Sequence, residues 1–264
     1  MSIKQALAWA IEKLNNGNFT DSAQLDAELL LSGALKRDKE FLYARPETEL
    51  SPWQKLKFRR WLNRRLAGAP VAVLIHTKEF YGYDFYVNRH VLIPRPLTEQ
   101  MIDLALEEIK KQKTTLNAQY TICDLGTGSG NIIIALAKEL EKKYSLDDFE
   151  LIGLDISGRA LKVAKKNARL HQLEKNITFI KSDLMAAVKN KKIDLVLANL
   201  PYLTPADFER EISIKKEPFI ALVGDFYPEL FKTIDSLKNK PLVIYEDKQG
   251  VHKKFSSSQV NKKS

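Results

Sequence analysis

The chain has 264 residues, 44% of them hydrophobic, which fits one or two globular domains with a substantial core and excludes wholesale disorder. No apolar run approaches the ~20 residues of a membrane span, the first residues lack a signal-peptide pattern, and a single cysteine, Cys123, excludes an internal disulfide and a cysteine-clustered zinc site. The net charge of +9 is uneven: residues 51–68 carry six basic residues and no acid, residues 248–264 carry five lysines and no acid, and residues 69–247 are neutral.

In chain order, residues 1–67 read as helical. Ala6, Leu7, Ala10, Ile11 and Leu14 recur at helical spacing before Asn15-Asn16-Gly17. Thr20-Asp21-Ser22 begins a second helix with Leu25, Leu29 and Leu30, and Ser51-Pro52 begins a third through Leu56, Trp61, Leu62 and Leu66. Trp53, Phe58 and Trp61 are expected in the core. Residues 71–93 are rich in β-branched and aromatic side chains around Tyr81-Gly82 and predict a hairpin or meander. A helix is expected from Thr98 to Lys111.

From residue 120 strands and helices alternate. Strands are expected at YTICDLG, FELIGLDIS, ITFIKSDL, KIDLVLANLPY and PLVIYED, with helices over Asn131–Lys143, Gly158–His171 and Tyr227–Lys238. This alternation predicts an α/β fold with a mainly parallel, doubly wound sheet. No further apolar strand follows Asp247, and the lysine-rich end reads as a disordered, solubilising tail. The expected organisation is a helical domain over 1–70, a hairpin-and-helix linker over 71–112, an α/β domain over 113–250 and a basic tail over 251–264.

Four motifs carry candidate chemistry. Asp124-Leu125-Gly126-Thr127-Gly128-Ser129-Gly130 joins the first strand of the alternating part to a helix; its glycines allow a tight turn and close approach to a ligand at the helix N-terminus, or simply a tight turn. Asp155 ends the next strand, where an acid accepts hydrogen bonds from ribose hydroxyls or caps the helix at Gly158. Asp183 and Leu184 end the third, placed to receive an adenine amino group and pack on its ring, or to form an ordinary loop. Asn199-Leu200-Pro201-Tyr202 ends the fourth, at the edge where open α/β sheets place their active sites. An Asn side-chain oxygen and a neighbouring carbonyl are two fixed acceptors for both N–H bonds of a planar amine, and the Tyr face packs on that group.

The Asn199–Tyr202 run resembles the (N/D)PPY motif of amino-group methyltransferases that use S-adenosylmethionine. Leu25–Leu30, Arg64-Arg65, Gly68-Ala69-Pro70, Glu79-Phe80-Tyr81-Gly82, Leu92–Glu99, and Glu217-Pro218 with Ala221-Leu222 and Gly224 resemble, in the same order, the HemK family of glutamine-N5 methyltransferases of peptide-chain release factors. The resemblance runs from about residue 6 to about residue 250. It implies a class I, Rossmann-like methyltransferase with S-adenosylmethionine as cofactor, held by Asp124, Gly126, Thr127, Gly128, Ser129, Gly130, Asp155, Asp183, Leu184 and Asn199. It implies Asn199, Leu200, Pro201 and Tyr202 as the catalytic residues and a release factor as protein partner, docked in part by the helical domain. No metal, membrane or specific nucleic acid is expected, and the expected state is a cytoplasmic monomer.

Three departures stand out. Leu200 replaces the first proline of the motif, losing a fixed φ at about 0.4–1 kcal/mol. Leu97 stands where the family carries an acid. Five strands are legible where the class has seven, so the sheet is expected to lack its last two and to expose the fifth as an edge. Two other readings stay open: an adenine-N6 or other nucleic-acid methyltransferase, which should carry a basic cleft, and a non-catalytic paralogue that binds a partner.

Overall fold

The computed structural model describes residues 1–17, 22–113, 119–210, 214–237 and 239–254. They form two compact units divided after Thr77. Thr20, Asp21 and the end of the expected tail, residues 255–264, lie outside the described residues.

The first unit contains five helices among its described residues: α1 (Ile3–Asn16), α2 (Ala23–Leu35), α3 (Lys39–Ala44), α4 (Pro52–Leu66) and α5 (Val71–Ile75). Ser2 and Ser51 start α1 and α4 with capping boxes in which Gln5 and Gln54 return the bond. Ala6, Ala10 and Leu14 of α1 pack with Ala27, Leu30 and Leu31 of α2 and Phe58 and Leu62 of α4. Arg65 is committed to buried Asp26 at 2.7 Å, and Lys57 sits 4.3 Å from the Trp61 ring centroid, so part of the basic helix is structural. Trp53 is 81% exposed, which corrects its expected place in the core. The span 71–75 is also corrected: Pro70 and the left-handed His76 bracket a short helix, not a strand.

A hairpin of β1 (Thr77–Phe80) and β2 (Tyr83–Tyr86) begins at the boundary. Tyr81 and Gly82 both have positive φ, 53° and 76°, as a two-residue hairpin turn requires. After α6 (Gln100–Lys113) come β3 (Tyr120–Leu125), α7 (Asn131–Glu141), β4 (Phe149–Asp155), α8 (Gly158–Leu170), β5 (Ile177–Lys181), β6 (Leu195–Ala198), α9 (Pro205–Arg210), α10 (Tyr227–Ser236), β7 (Leu242–Asp247) and β8 (Gly250–Lys254).

The main sheet has the order β5-β4-β3-β6-β7-β8; the first five strands are parallel and β8 is antiparallel. The chain winds outward from β3 to β5, then returns to place β6 on the other side of β3. The ends of β3 and β6 are therefore the topological switch point, and Leu125 pairs with Ala198 there. Strand side chains alternate between two cores. Ile122, Leu195, Leu197, Leu242 and Ile244 join α6 and α7 on one face, and Cys123, Leu125, Val196, Ala198 and Val243 join α10 on the other. Burial pushes the Cys123 thiol up, so it is a core residue and not a nucleophile.

Strand β8 corrects two expectations. Residues 251–254 are not a disordered tail, and β7 is not the sheet edge. The strand is stapled by its own lysines: Lys253 bonds Glu108 at 2.9 Å, and Lys254 lies 3.7 Å from the Phe231 ring centroid.

Candidate active site

The glycine loop after β3 is shaped from behind. Thr127 donates to Asp124 at 2.6 Å, Ser129 to Asn131 at 2.8 Å, and Asn167 of α8 donates to the Ser129 carbonyl at 2.8 Å. A Cβ on Gly130 would stand 2.9 Å from Ile134, and its φ of +79° is itself a glycine conformation. Asp124, Thr127, Ser129 and Gly130 are buried and build the loop from which Gly126 and Gly128 line the adjoining cleft. Burial pushes the Asp124 carboxyl up to about 7 despite the Thr127 bond, and its Oδ1 has no partner among the described residues.

Gly126, Gly128, Asp155, Asp183, Leu184 and Asn199 all line one open cleft of about 870 Å³. Asp155 accepts from the amides of Gly128 at 2.9 Å and Ser157 at 2.7 Å, one on each oxygen. Each oxygen keeps a second acceptor direction, the pair that two vicinal hydroxyls need. Ile156 and Leu184 add apolar lining, and Asp183 is exposed at the same lip. Leu184 holds φ +40°, a strained value for a leucine, which turns the chain at that lip. These features fit S-adenosylmethionine: a diol acceptor, apolar surface for a base, and a glycine loop where main chain comes close.

A second cleft of about 1070 Å³ shares Asn199, Leu200 and Pro201 with the first and continues to Tyr202, Arg95 and Glu246. The two clefts thus meet at the end of β6. Here the structure adds residues that the sequence reading did not select. Thr98 donates to Glu246 Oε2 at 2.6 Å, Asn199 Nδ2 donates to Thr98 Oγ1 at 3.1 Å, and the Tyr202 hydroxyl donates to Glu246 Oε1 at 3.1 Å. Thr98 has one hydroxyl proton, and an ionised Glu246 only accepts, so the Asn199 partner must be its NH2 group. Asn199 Oδ1 is thereby left for the cleft. Glu246 is 2% exposed, and burial raises its carboxyl above the ordinary range. Burial, with Glu246 alongside, pushes Tyr202 up to about 12, so the phenol keeps its proton.

The other motifs close on this site. Glu217 accepts from the Ile93 amide at 2.9 Å and from Arg95 at 2.5 Å, tying the linker run to the Glu217-Pro218 element. Asn167 accepts from the Tyr86 amide at 2.8 Å and donates to its carbonyl at 3.0 Å, holding the hairpin to the glycine loop. Leu97 lines neither cleft, and nothing in the structure explains its departure. Among the described residues no group of three or more His, Cys, Asp or Glu could hold a metal ion, and no helix is long and apolar enough to cross a membrane.

The sequence profile of the PrmC N-terminal domain matches residues 5–75, and that of a methyltransferase domain matches residues 116–248. The chain is 35% identical over 237 residues to the release factor glutamine methyltransferase of Dictyoglomus turgidum, covering 87% of this chain and 79% of that one. The chain belongs to the release factor glutamine methyltransferase family. The enzyme of that name from Haemophilus influenzae is 34% identical over 85% of this chain and 77% of its own, and that from Bacillus anthracis 32% over 93% and 86%. The catalytic domain of hMettl16, solved in complex with a 3'UTR hairpin, superposes with a TM-score of 0.50 at 17% identity over 72% of this chain and 69% of that one, a likeness of fold alone. Membership makes this chain an S-adenosylmethionine-dependent methyltransferase with a class I, Rossmann-like fold.

Proposed function

We propose that this protein transfers a methyl group from S-adenosylmethionine to the side-chain amide nitrogen of a glutamine in a peptide-chain release factor. The observation that carries the reading is the junction of the two clefts at Asn199, Leu200 and Pro201. A cofactor in the first cleft and an amide in the second meet there.

An amide nitrogen is a poor nucleophile because its lone pair is delocalised into the carbonyl. S-adenosylmethionine supplies the electrophilic sulfonium methyl. The protein's part is alignment and charge stabilisation. Asn199 Oδ1 and the Leu200 carbonyl accept the two N–H bonds of the glutamine amide, and Tyr202 packs on its plane. Acceptors on both N–H bonds favour pyramidalisation and stabilise the positive charge developing on nitrogen, whose surplus proton is lost to solvent once the N–C bond has formed and the methyl–sulfur bond has broken. Gly126, Gly128, Asp155, Asp183 and Leu184 hold the cofactor. The first unit takes part in recognising the protein substrate, and the enzyme acts as a monomer in the cytoplasm.

Incubating the enzyme and labelled S-adenosylmethionine with purified release factor, and separately with ribosomal RNA, tests the reading. Label on the protein, lost with Asn199→Ala, is expected. Label on RNA would favour the nucleic-acid reading, and label on neither would favour a non-catalytic binder. The second cleft weighs against the nucleic-acid reading: of the three basic residues that line it, Arg95, Arg210 and Lys248, two are paired with acids, Arg95 with Glu217 and Lys248 with Asp207.

A further inference from the structure

Leu200 reintroduces two things that a proline at its position excludes: a free φ and a backbone N–H. The N–H is buried, since Leu200 is 5% exposed, and a buried donor without a partner is costly. Its partner is the hydroxyl of Tyr227, the first residue of α10, at 3.1 Å. That hydroxyl also bonds the carbonyls of Ala198, at 3.2 Å, and Glu246. With one proton and two acceptor directions, it accepts from Leu200 and shares its single proton between the two carbonyls.

The phenol cannot swing away easily. Tyr227 is 8% exposed, and its ring packs against Phe231 and Tyr245, with centroids 6.1 and 5.3 Å apart. The leucine side chain lies over the cofactor loop, and a Cβ on Gly126 would come within 3.0 Å of it. The following Pro201 restricts Leu200 to extended backbone. What is missing is a restraint on the peptide before Leu200, and Tyr227 supplies one.

We infer that Tyr227 is a positioning residue for methyl transfer: its hydroxyl holds the Asn199–Leu200 peptide, and so aims the Leu200 carbonyl at the acceptor amide in place of a proline ring. This rests on the proposed role of that carbonyl. Burial raises the phenol above its ordinary value, so it stays protonated and keeps its donor throughout the neutral range.

The test is a double-mutant cycle with Tyr227→Phe, Leu200→Pro and the double variant, measured as kcat and KM for release factor and Kd for S-adenosylmethionine. In the parent background Tyr227→Phe is expected to lower kcat about tenfold, with both binding constants within about twofold. In the Leu200→Pro background, where no N–H remains, the same change is expected to cost less than about twofold. An equal loss in both backgrounds would overturn the inference. A parent enzyme that labels no glutamine would instead overturn the proposed function. Should Leu200→Pro fail to fold, amide hydrogen exchange decides: Tyr227→Phe is expected to speed exchange at Leu200 at least about tenfold while Val196 and Leu197 exchange as before. Unchanged exchange at Leu200 would overturn the inference on its own.

Discussion

Thr98 donates its hydroxyl proton to Glu246 at 2.6 Å, across 148 residues of sequence. That bond decides the orientation of Asn199, because a threonine that has given its proton to a carboxylate can only accept from the amide beside it. Glu246→Gln reverses the logic: a glutamine NH2 can donate to Thr98, which then donates to the Asn199 oxygen and turns its NH2 toward the cleft. The expected result is a loss of about a hundredfold in kcat with little change in cofactor Kd. Steady-state kinetics with isothermal titration check this.

The same carboxyl sets a pH dependence. Burial raises Glu246 above the ordinary glutamate range, so acidification protonates it sooner than an exposed glutamate. The kcat of the parent should fall on the acid side as Glu246 takes up a proton. In Thr98→Val the hydroxyl relay is gone, so kcat is low at every pH and this acid limb is absent. An identical limb in both proteins would assign it to another group.

Asp155 tests the cofactor cleft. Its two oxygens organise Gly128 and Ser157 and face the same cleft. Asp155→Ala should weaken S-adenosylmethionine binding at least about tenfold, and Asp155→Asn less, by titration calorimetry.

Asn167 tests the scaffold behind the loop. It is fully buried and satisfies the backbone of Tyr86 and Ser129 with three hydrogen bonds. Asn167→Ala strands those groups and should cost about 3 kcal/mol in denaturant unfolding.

Asp124 gives the chain a stability slope with a definite sign. Its carboxyl titrates at about 7 folded against 3.8 as the ordinary value, so the native state binds the extra proton between those limits. The penalty is absent below about pH 4, grows as pH rises, and is complete above about pH 7, on the order of 4 kcal/mol. Asp124→Asn should flatten that slope and be more stable than the parent at pH 8. Thermal unfolding across pH would show a parallel slope in both proteins if Asp124 were not responsible.

The parallel strands were legible because strands buried on both faces read as apolar runs, and the alternation with helices gave the winding. The Asn199–Tyr202 site was legible because its residues are contiguous. Thr98, Glu246 and Tyr227 were not, since they meet it only after folding. Strand β8 was hidden by its composition, Gly-Val-His-Lys-Lys, whose polar side chains find partners on α6, α10 and β7. Residues 71–75 misled because Val, Val and Ile favour strands, while Pro70 and His76 set a helical turn.

On the proposed function, a glutamine amide is methylated at the junction formed by Asn199 and Leu200. Tandem mass spectrometry of release factor treated with the enzyme and S-adenosylmethionine tests it most directly. A single added methyl group on one glutamine side-chain nitrogen is expected, absent with Asn199→Ala although that variant still binds cofactor. A methyl group on any other atom, or an undiminished product with Asn199→Ala, would contradict it.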